Sequence, residues 1–241
     1  MAGSMIRFMY IVPFLASALF SRTGSSAEKP GNYTLQRERM VNRQILARGV
    51  GDTRVISAML KVPRHLFVPA ENRSMAYEDT PLPIGEGQTI SQPYIVAFMT
   101  EALDLEPGDR VLEVGTGSGY QAAVLAELVA EVYTIEIIPK LGNSTAKLLD
   151  ELGYDTIHVK VGDGYRGWPE YAPFDAIIVT CAPESIPQAL VDQLVEGGKI
   201  IIPVGGRYSV QELVMGVKTN GRLITENVLP VRFVPMVPGK E

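Results

Sequence analysis

"RVLEVGTGSGYQAAVLA", residues 110–126, decides the fold. Its opening, Arg110 to Gly115, is a short apolar run closed by glycine, the pattern of a buried strand. Gly115, Gly117 and Gly119 follow at alternate positions, and Tyr120 begins a stretch at helical spacing. Glycine has no Cβ, so a backbone turn built from it can approach a ligand where another residue would collide. A strand, a glycine turn and a helix in that order open a nucleotide-binding unit, with the ligand over the turn and the start of the helix. The same pattern also serves tight packing of strand against helix, so the rest of the chain must decide.

Downstream, strand and helix patterns alternate. "EVYTIEI" reads as a second strand and "KLGNSTAKLLDEL", opened by Pro139, as a helix. "TIHVKVGDG" is a third strand and "FDAIIVTCA" a fourth. "IPQALVDQL" is then a helix ended by Gly197-Gly198, and "KIIIPVG" a fifth strand. Such alternation predicts right-handed crossovers and a mostly parallel sheet covered on both faces. The tail, "VQELVMGVKTNGRLITENVLPVRFV", differs: two strands flank Asn220-Gly221, the pair favoured in a type I′ hairpin. Upstream, residues 34–48 predict one helix stopped by Gly49, and Asp52 caps a second over 53–62 that Pro63 ends. Residues 64–88 read as a long irregular stretch, and a helix runs from Gln92 to Leu103 with Pro93 in its first turn.

The nucleotide can be narrowed. The spacing is G-x-G-x-G rather than G-x-G-x-x-G, and Glu113 precedes it inside the strand end. A carboxylate there repels a pyrophosphate and suits a ligand bearing ammonium or sulfonium. Glu136 ends the second strand, 136 − 115 = 21 residues beyond the first glycine, where an acidic side chain accepts hydrogen bonds from ribose hydroxyls. Asp163 ends the third strand, close to the place for an adenine. Thr116 and Gly164 complete the expected donor-binding set. Carboxylates at three successive strand ends indicate an adenosine ligand with positive charge and no phosphate, S-adenosyl-L-methionine. The fold implied is the α/β class I S-adenosylmethionine-dependent methyltransferase fold: Rossmann-like, mostly parallel, with a C-terminal antiparallel hairpin and an N-terminal helical flank. An NAD-dependent dehydrogenase is the competing reading, and it would want the longer glycine spacing.

Composition limits the acceptor. The net charge of −5 provides no basic face for nucleic acid, and "VTCAPES" after the fourth strand lacks the Asn/Asp-Pro-Pro-aromatic loop that clamps nucleobases. With Cys181 alone and two histidines, His65 and His158, no zinc-type cluster can form and no metal is expected. Cys181 itself reads as a small buried residue rather than a nucleophile.

Four stretches then carry a resemblance. "YEDTPLPIGEGQTISQPYIVAFMTEAL", "VLEVGTGSGYQAAVLA", "VGDGYRGWPEYAPFDAIIVTCA" and "LPVRFVPM" resemble the bacterial type of the protein-L-isoaspartate (D-aspartate) O-methyltransferase family, from about Leu35 to Met236. The resemblance implies a repair enzyme that methylates the free α-carboxyl of L-isoaspartyl and D-aspartyl residues in damaged proteins and peptides. The family's active-site serine matches Ser91. Thr89, Ile90 and Ser91 would bind the acceptor carboxylate, and Val231 with its neighbours would lie beside the bound peptide. Asp79 falls where the family has an acidic residue, either ordering the loop or simply solvated. Ser91 also reads as a plain helix N-cap. A methyltransferase for another small acceptor and a non-catalytic S-adenosylmethionine-binding protein remain the alternatives.

The first 32 residues stand apart from the single methyltransferase domain expected over 33–241. Arg7, the apolar "FMYIVPFLASALF" and the polar "SRTGSSAEKPG" read either as a signal peptide or as an upstream extension. The apolar part is too short to span a bilayer comfortably, so no stable membrane association is expected. The family resemblance implies a cytoplasmic enzyme, because the methyl donor is made there.

Overall fold

The structure, a computed structural model, describes residues 32–206 and 209–239. The leader reading of the N-terminal segment lies outside the described residues. A seven-stranded sheet organises the chain. Its parallel part is β3 (Arg110–Val114), β4 (Glu131–Glu136), β5 (Ile157–Val161), β6 (Phe174–Val179) and β7 (Leu194–Val204). The antiparallel β8 (Gln211–Thr219) and β9 (Arg222–Val231) complete it, in the order β5-β4-β3-β6-β7-β8-β9. β3 is central, with β4 and β6 as its parallel neighbours. The chain reverses direction across the sheet at β3, and the crevice at such a reversal is where open α/β sheets bind ligands.

Alternation along the strands divides the core. Val111, Val132, Ala176 and Ile201 face one apolar layer, while Leu112, Val114, Ile135, Ile177 and Val179 face the other. Each buried aliphatic side chain contributes roughly 1.5–3 kcal/mol. The first layer is closed by α2 (Thr53–Lys61), α3 (Pro93–Leu103) and α4 (Tyr120–Ala126). Asp52 caps α2 as predicted, accepting from the N–H groups of Arg54 at 2.7 Å and Val55 at 3.4 Å. The Asn220-Gly221 turn also forms, at φ 52° and 73°.

Three predicted elements differ. The first helix is broken into α1 (Asn32–Met40), a wider π turn over Val41–Ile45 and a 3-10 turn over Leu46–Arg48; Gly49 stops it in the left-handed region, φ 92°. Gly197-Gly198 does not end a helix. α6 (Gln188–Asp192) stops earlier, and the glycines belong to an irregular start of β7, where Phe174 pairs with Leu194 and Ala176 with Lys199. Glu196 explains the excursion, because its carboxylate accepts from the backbone N–H groups of Asn220 and Gly221 at the β8–β9 turn. Finally, the irregular stretch contains a hairpin, β1 (Leu82–Gly85) and β2 (Gln88–Ile90), turned by Glu86 at φ 50° and Gly87 at φ 70°.

Candidate active site

The carboxyl ends of β3, β4 and β6 open into a cavity of about 330 Å³. Gly115, Thr116 and Gly117 form its floor, Glu113 and Glu136 one wall, and Thr180 and Cys181 another. The β1–β2 hairpin covers it through Gly87, Gln88, Thr89 and Ile90, with Ser91 following, and the segment Val234 to Val237 closes the far side. That segment is clamped to the sheet edge: Ala182 N–H donates to the Val234 carbonyl and Met236 N–H to the Ala182 carbonyl, both at 2.8 Å.

Glu136 organises the glycine turn. Its Oε2 accepts from Gly117 N–H and its Oε1 from Ile138 N–H, each at 2.9 Å. Thr145 Oγ1 donates to the Gly117 carbonyl at 2.7 Å, fixing the other side of that residue. Glu113 is fully buried, and Thr134 Oγ1 donates to its Oε2 at 2.5 Å. Its Oε1 has no partner. Burial, reinforced by the nearby Glu136 carboxylate, pushes the Glu113 carboxyl up to about 8, against the lowering effect of the Thr134 hydrogen bond. An unpaired buried acceptor on an acidic cavity wall suits a ligand carrying ammonium and sulfonium groups, so the residues present fit the expected donor.

Two predicted donor-site residues, Asp163 and Gly119, lie outside the lining of this cavity. Asp163 Oδ1 accepts from Tyr165 N–H at 2.9 Å and its Oδ2 from Gly239 N–H at 3.0 Å, so the carboxylate caps a turn and ties down the C-terminal segment. The adjacent Gly164 does line it, and a Cβ there would meet Val114 Cγ1 at 2.4 Å. Gly119 starts α4 at φ 84°, and a Cβ on it would come within 2.7 Å of Thr145 Cγ2. It therefore serves helix packing behind the cavity. Burial pushes the Cys181 thiol up to about 12, which makes it a poor nucleophile.

A second cavity of about 450 Å³ adjoins the first, and the two share Thr89, Ser91, Thr180 and Val234. Leu229 to Phe233, including Val231, line one side; Arg48 and Ile95 line the other. Ser91 is not the cap of α3: that position is Gln92, and no side chain caps the helix. Asp79 does pair, with Arg48 at 2.9 Å, and Arg48 lies over the Tyr94 ring with its guanidinium carbon 3.3 Å from the centroid.

Two positioning contributions were not predicted. Thr180 Oγ1 donates to the carbonyls of Val114 at 3.1 Å and Gly115 at 2.7 Å, bracing the floor from the junction of the cavities. Gln211 pairs with the backbone of Phe233, its Oε1 accepting from N–H at 2.6 Å and its Nε2 donating to the carbonyl at 3.2 Å. Thr180 was findable, since it lies near the carboxyl end of the predicted fourth strand "FDAIIVTCA", on the ligand-binding edge; Gln211 was not, because its partner lies 22 residues away.

Sheet order and carboxyl-edge cavity together define a class I S-adenosylmethionine-dependent methyltransferase. The profile of the Protein-L-isoaspartate(D-aspartate) O-methyltransferase (PCMT) family matches residues 35–241. The protein-L-isoaspartate O-methyltransferase of Gloeobacter violaceus is 55% identical over 201 residues, covering 83% of this chain and 98% of that one. That of Methanoculleus marisnigri is 56% identical, covering 84% and 91%. A solved protein-L-isoaspartate O-methyltransferase superposes with TM-score 0.77 at 32% identity over 83% of this chain, which spans 65% of that longer chain. A Plasmodium falciparum structure described as a beta-aspartate methyltransferase (PCMT), in complex with S-adenosyl-L-homocysteine, matches with TM-score 0.73 at 30% identity, covering 86% and 99%. The chain belongs to the protein-L-isoaspartate O-methyltransferase family.

Proposed function

We infer that this chain repairs damaged proteins by methylating the free α-carboxyl of L-isoaspartyl residues, and of D-aspartyl residues, with S-adenosyl-L-methionine as donor. The observation that carries this reading is the junction of the two cavities at Thr89, Ser91, Thr180 and Val234. A donor in the first cavity and an acceptor in the second would meet there.

Bound S-adenosylmethionine supplies an electrophilic methyl group on a positively charged sulfur. Glu113 and Glu136 would hold the cationic and ribose parts of that ligand, in the cavity that Gly115 to Gly117 and Gly164 line. Ser91 and Thr89 donate hydroxyl hydrogen bonds to the acceptor carboxylate and orient one of its oxygens. That carboxylate is ionised at neutral pH, so no side chain has to remove a proton. Ile90, Val96 and Val234 exclude water from the junction. β9 is an edge strand, and its last residue, Val231, lies at the acceptor cavity. The free edge can pair with an extended peptide through backbone groups, which accommodates many sequences. The acidic chain disfavours nucleic acid as acceptor, and the donor requirement supports a cytoplasmic location. Among the described residues, no helix is long and apolar enough to cross a membrane.

Labelled S-adenosylmethionine with paired peptides, differing only in aspartyl against isoaspartyl, tests the substrate. Label is expected on the isoaspartyl peptide alone. Equal labelling would indicate a different acceptor, and donor binding without transfer would indicate a non-catalytic protein. For the acceptor residues, Ser91→Ala should lower kcat/KM by roughly 10- to 100-fold, the effect of losing one hydrogen bond to a charged group. Its S-adenosylhomocysteine affinity, measured by calorimetry, should stay within about twofold, since the groups assigned to the donor are intact. A large loss of that affinity would misplace Ser91.

A further inference from the structure

Arg64 is the largest side chain enclosed completely by the fold, and it lines neither cavity. Its Nε donates to the Ala76 carbonyl and its Nη2 to the Ser91 carbonyl, both at 2.7 Å. Its guanidinium carbon lies 4.8 Å from the centre of the Tyr120 ring, and Tyr120 lines the donor cavity. Nη1 is buried without a hydrogen-bond partner, and no carboxylate among the described residues forms an ion pair with Arg64. Burial lowers its pKa to about 10, which leaves it charged at neutral pH. Enclosing a guanidinium without a carboxylate costs several kcal/mol, a cost that an apolar side chain filling the same space would not carry. Space filling alone therefore does not account for this residue.

We propose that Arg64 is a positioning residue for methyl transfer. Its guanidinium holds the Ser91 carbonyl inside the protein and sets a fixed positive charge behind the turn that receives the acceptor carboxylate. A free Ser91 carbonyl could rotate toward the acceptor cavity and present the negative end of its dipole to an incoming anion. The hold on Ala76 and Ser91 also ties the segment before the hairpin to the residue after it, so the hydroxyls of Thr89 and Ser91 stay at the junction. This inference rests on the acceptor site proposed above.

The test uses the full chain with Arg64→Lys, Arg64→Met and Ser91→Ala. Rates are normalised to active sites counted by S-adenosylhomocysteine titration. Arg64→Lys keeps the charge and loses the two-point hold. Its kcat should fall on the order of 10- to 100-fold, the scale expected when reacting groups are misplaced by about an ångström. S-adenosylhomocysteine affinity should not move. Arg64→Met should in addition lose the binding preference, read by competitive inhibition, for an isoaspartyl peptide over the same peptide with its α-carboxyl converted to carboxamide, which accepts no methyl group; lysine should retain that preference. A purely structural arginine would change melting temperature and the fraction of competent sites but neither normalised kcat nor that preference. Normalised kcat within about twofold of the parent protein in Arg64→Lys would overturn the proposal, and this arm decides if Arg64→Met does not fold. Unimpaired transfer by Ser91→Ala would sink the acceptor site itself, whereas impaired Ser91→Ala with unaffected Arg64→Lys would sink only the role of Arg64.

Discussion

Replacing Gly115 by alanine is expected to abolish S-adenosylhomocysteine binding and methyl transfer together. Gly115 adopts φ 102°, a region that L residues rarely occupy, and strain of this kind costs on the order of 1–3 kcal/mol. The space is also taken: a Cβ would lie 2.4 Å from Thr180 Oγ1. That hydroxyl cannot simply turn aside, because it donates to the Val114 and Gly115 carbonyls and so braces the turn that bears the new methyl group. Relief requires moving either Thr180, which borders both cavities, or the floor under the donor. Binding should fall by on the order of 100-fold or more, since roughly 3 kcal/mol of strain and lost contacts converts to that factor. Calorimetric titration with S-adenosylhomocysteine measures it, and thermal melting separates it from unfolding. A contrast comes from Gly153→Ala. Gly153 also has positive φ, 78°, but a Cβ there meets nothing within 4 Å. That variant should lose stability through backbone strain and keep donor affinity. Normal binding by Gly115→Ala would mean that the glycine turn does not form the donor floor.

The parallel strands were legible because burial on both faces writes them as continuous apolar runs, "RVLEV" and "FDAIIV" among them. The β8–β9 hairpin was legible because Asn220 and Gly221 are a pair that accepts positive φ. The β1–β2 hairpin escaped because one strand is only Gln88–Ile90 and its turn uses Glu86, a residue with no preference for φ 50°. Gly197 and Gly198 misled for a related reason. Two glycines after a helical pattern signal a stop, but here the adjacent Glu196 carboxylate recruits that segment to the remote β8–β9 turn. The same limit governs the site. Among the cavity-lining residues, Glu113, Glu136, Gly115 and Gly117 were legible from their position on the carboxyl edge. Asp163 shares that position, yet its carboxylate is engaged by Tyr165 and by Gly239, 76 residues further along. The partners of Gln211 and Arg64 are equally non-local, so no window of sequence displays them.

Glu113→Gln should remove the pH dependence that donor binding imposes on the protein. In the ligand-free fold the Glu113 carboxyl sits at about 8 against an ordinary 4.5, raised by burial and then by Glu136. A carboxyl raised in the folded state favours folding fully below its unfolded pKa, and that contribution is lost as pH rises through the folded pKa. Between 4.5 and about 8 the ligand-free protein should therefore lose up to about 1 kcal/mol of stability per pH unit through this group. Glutamine has the same shape and no charge to desolvate, so the variant should lack this slope and be the more stable protein at pH 8. The donor acts on the same group in the opposite sense, because ammonium and sulfonium charges beside the unpaired Oε1 favour the ionised form. At pH 7 the parent protein should release up to one proton on binding S-adenosylmethionine; this is read from calorimetric enthalpies in buffers of different ionisation heat. Glu113→Gln should release none from this site and bind more weakly by roughly 10- to 100-fold, the loss of one charge-assisted hydrogen bond. The neutral amide should also narrow discrimination between S-adenosylmethionine and S-adenosylhomocysteine, which differ by the sulfonium charge. Equal proton release by both proteins would assign the titration to another group and remove Glu113 from the donor site.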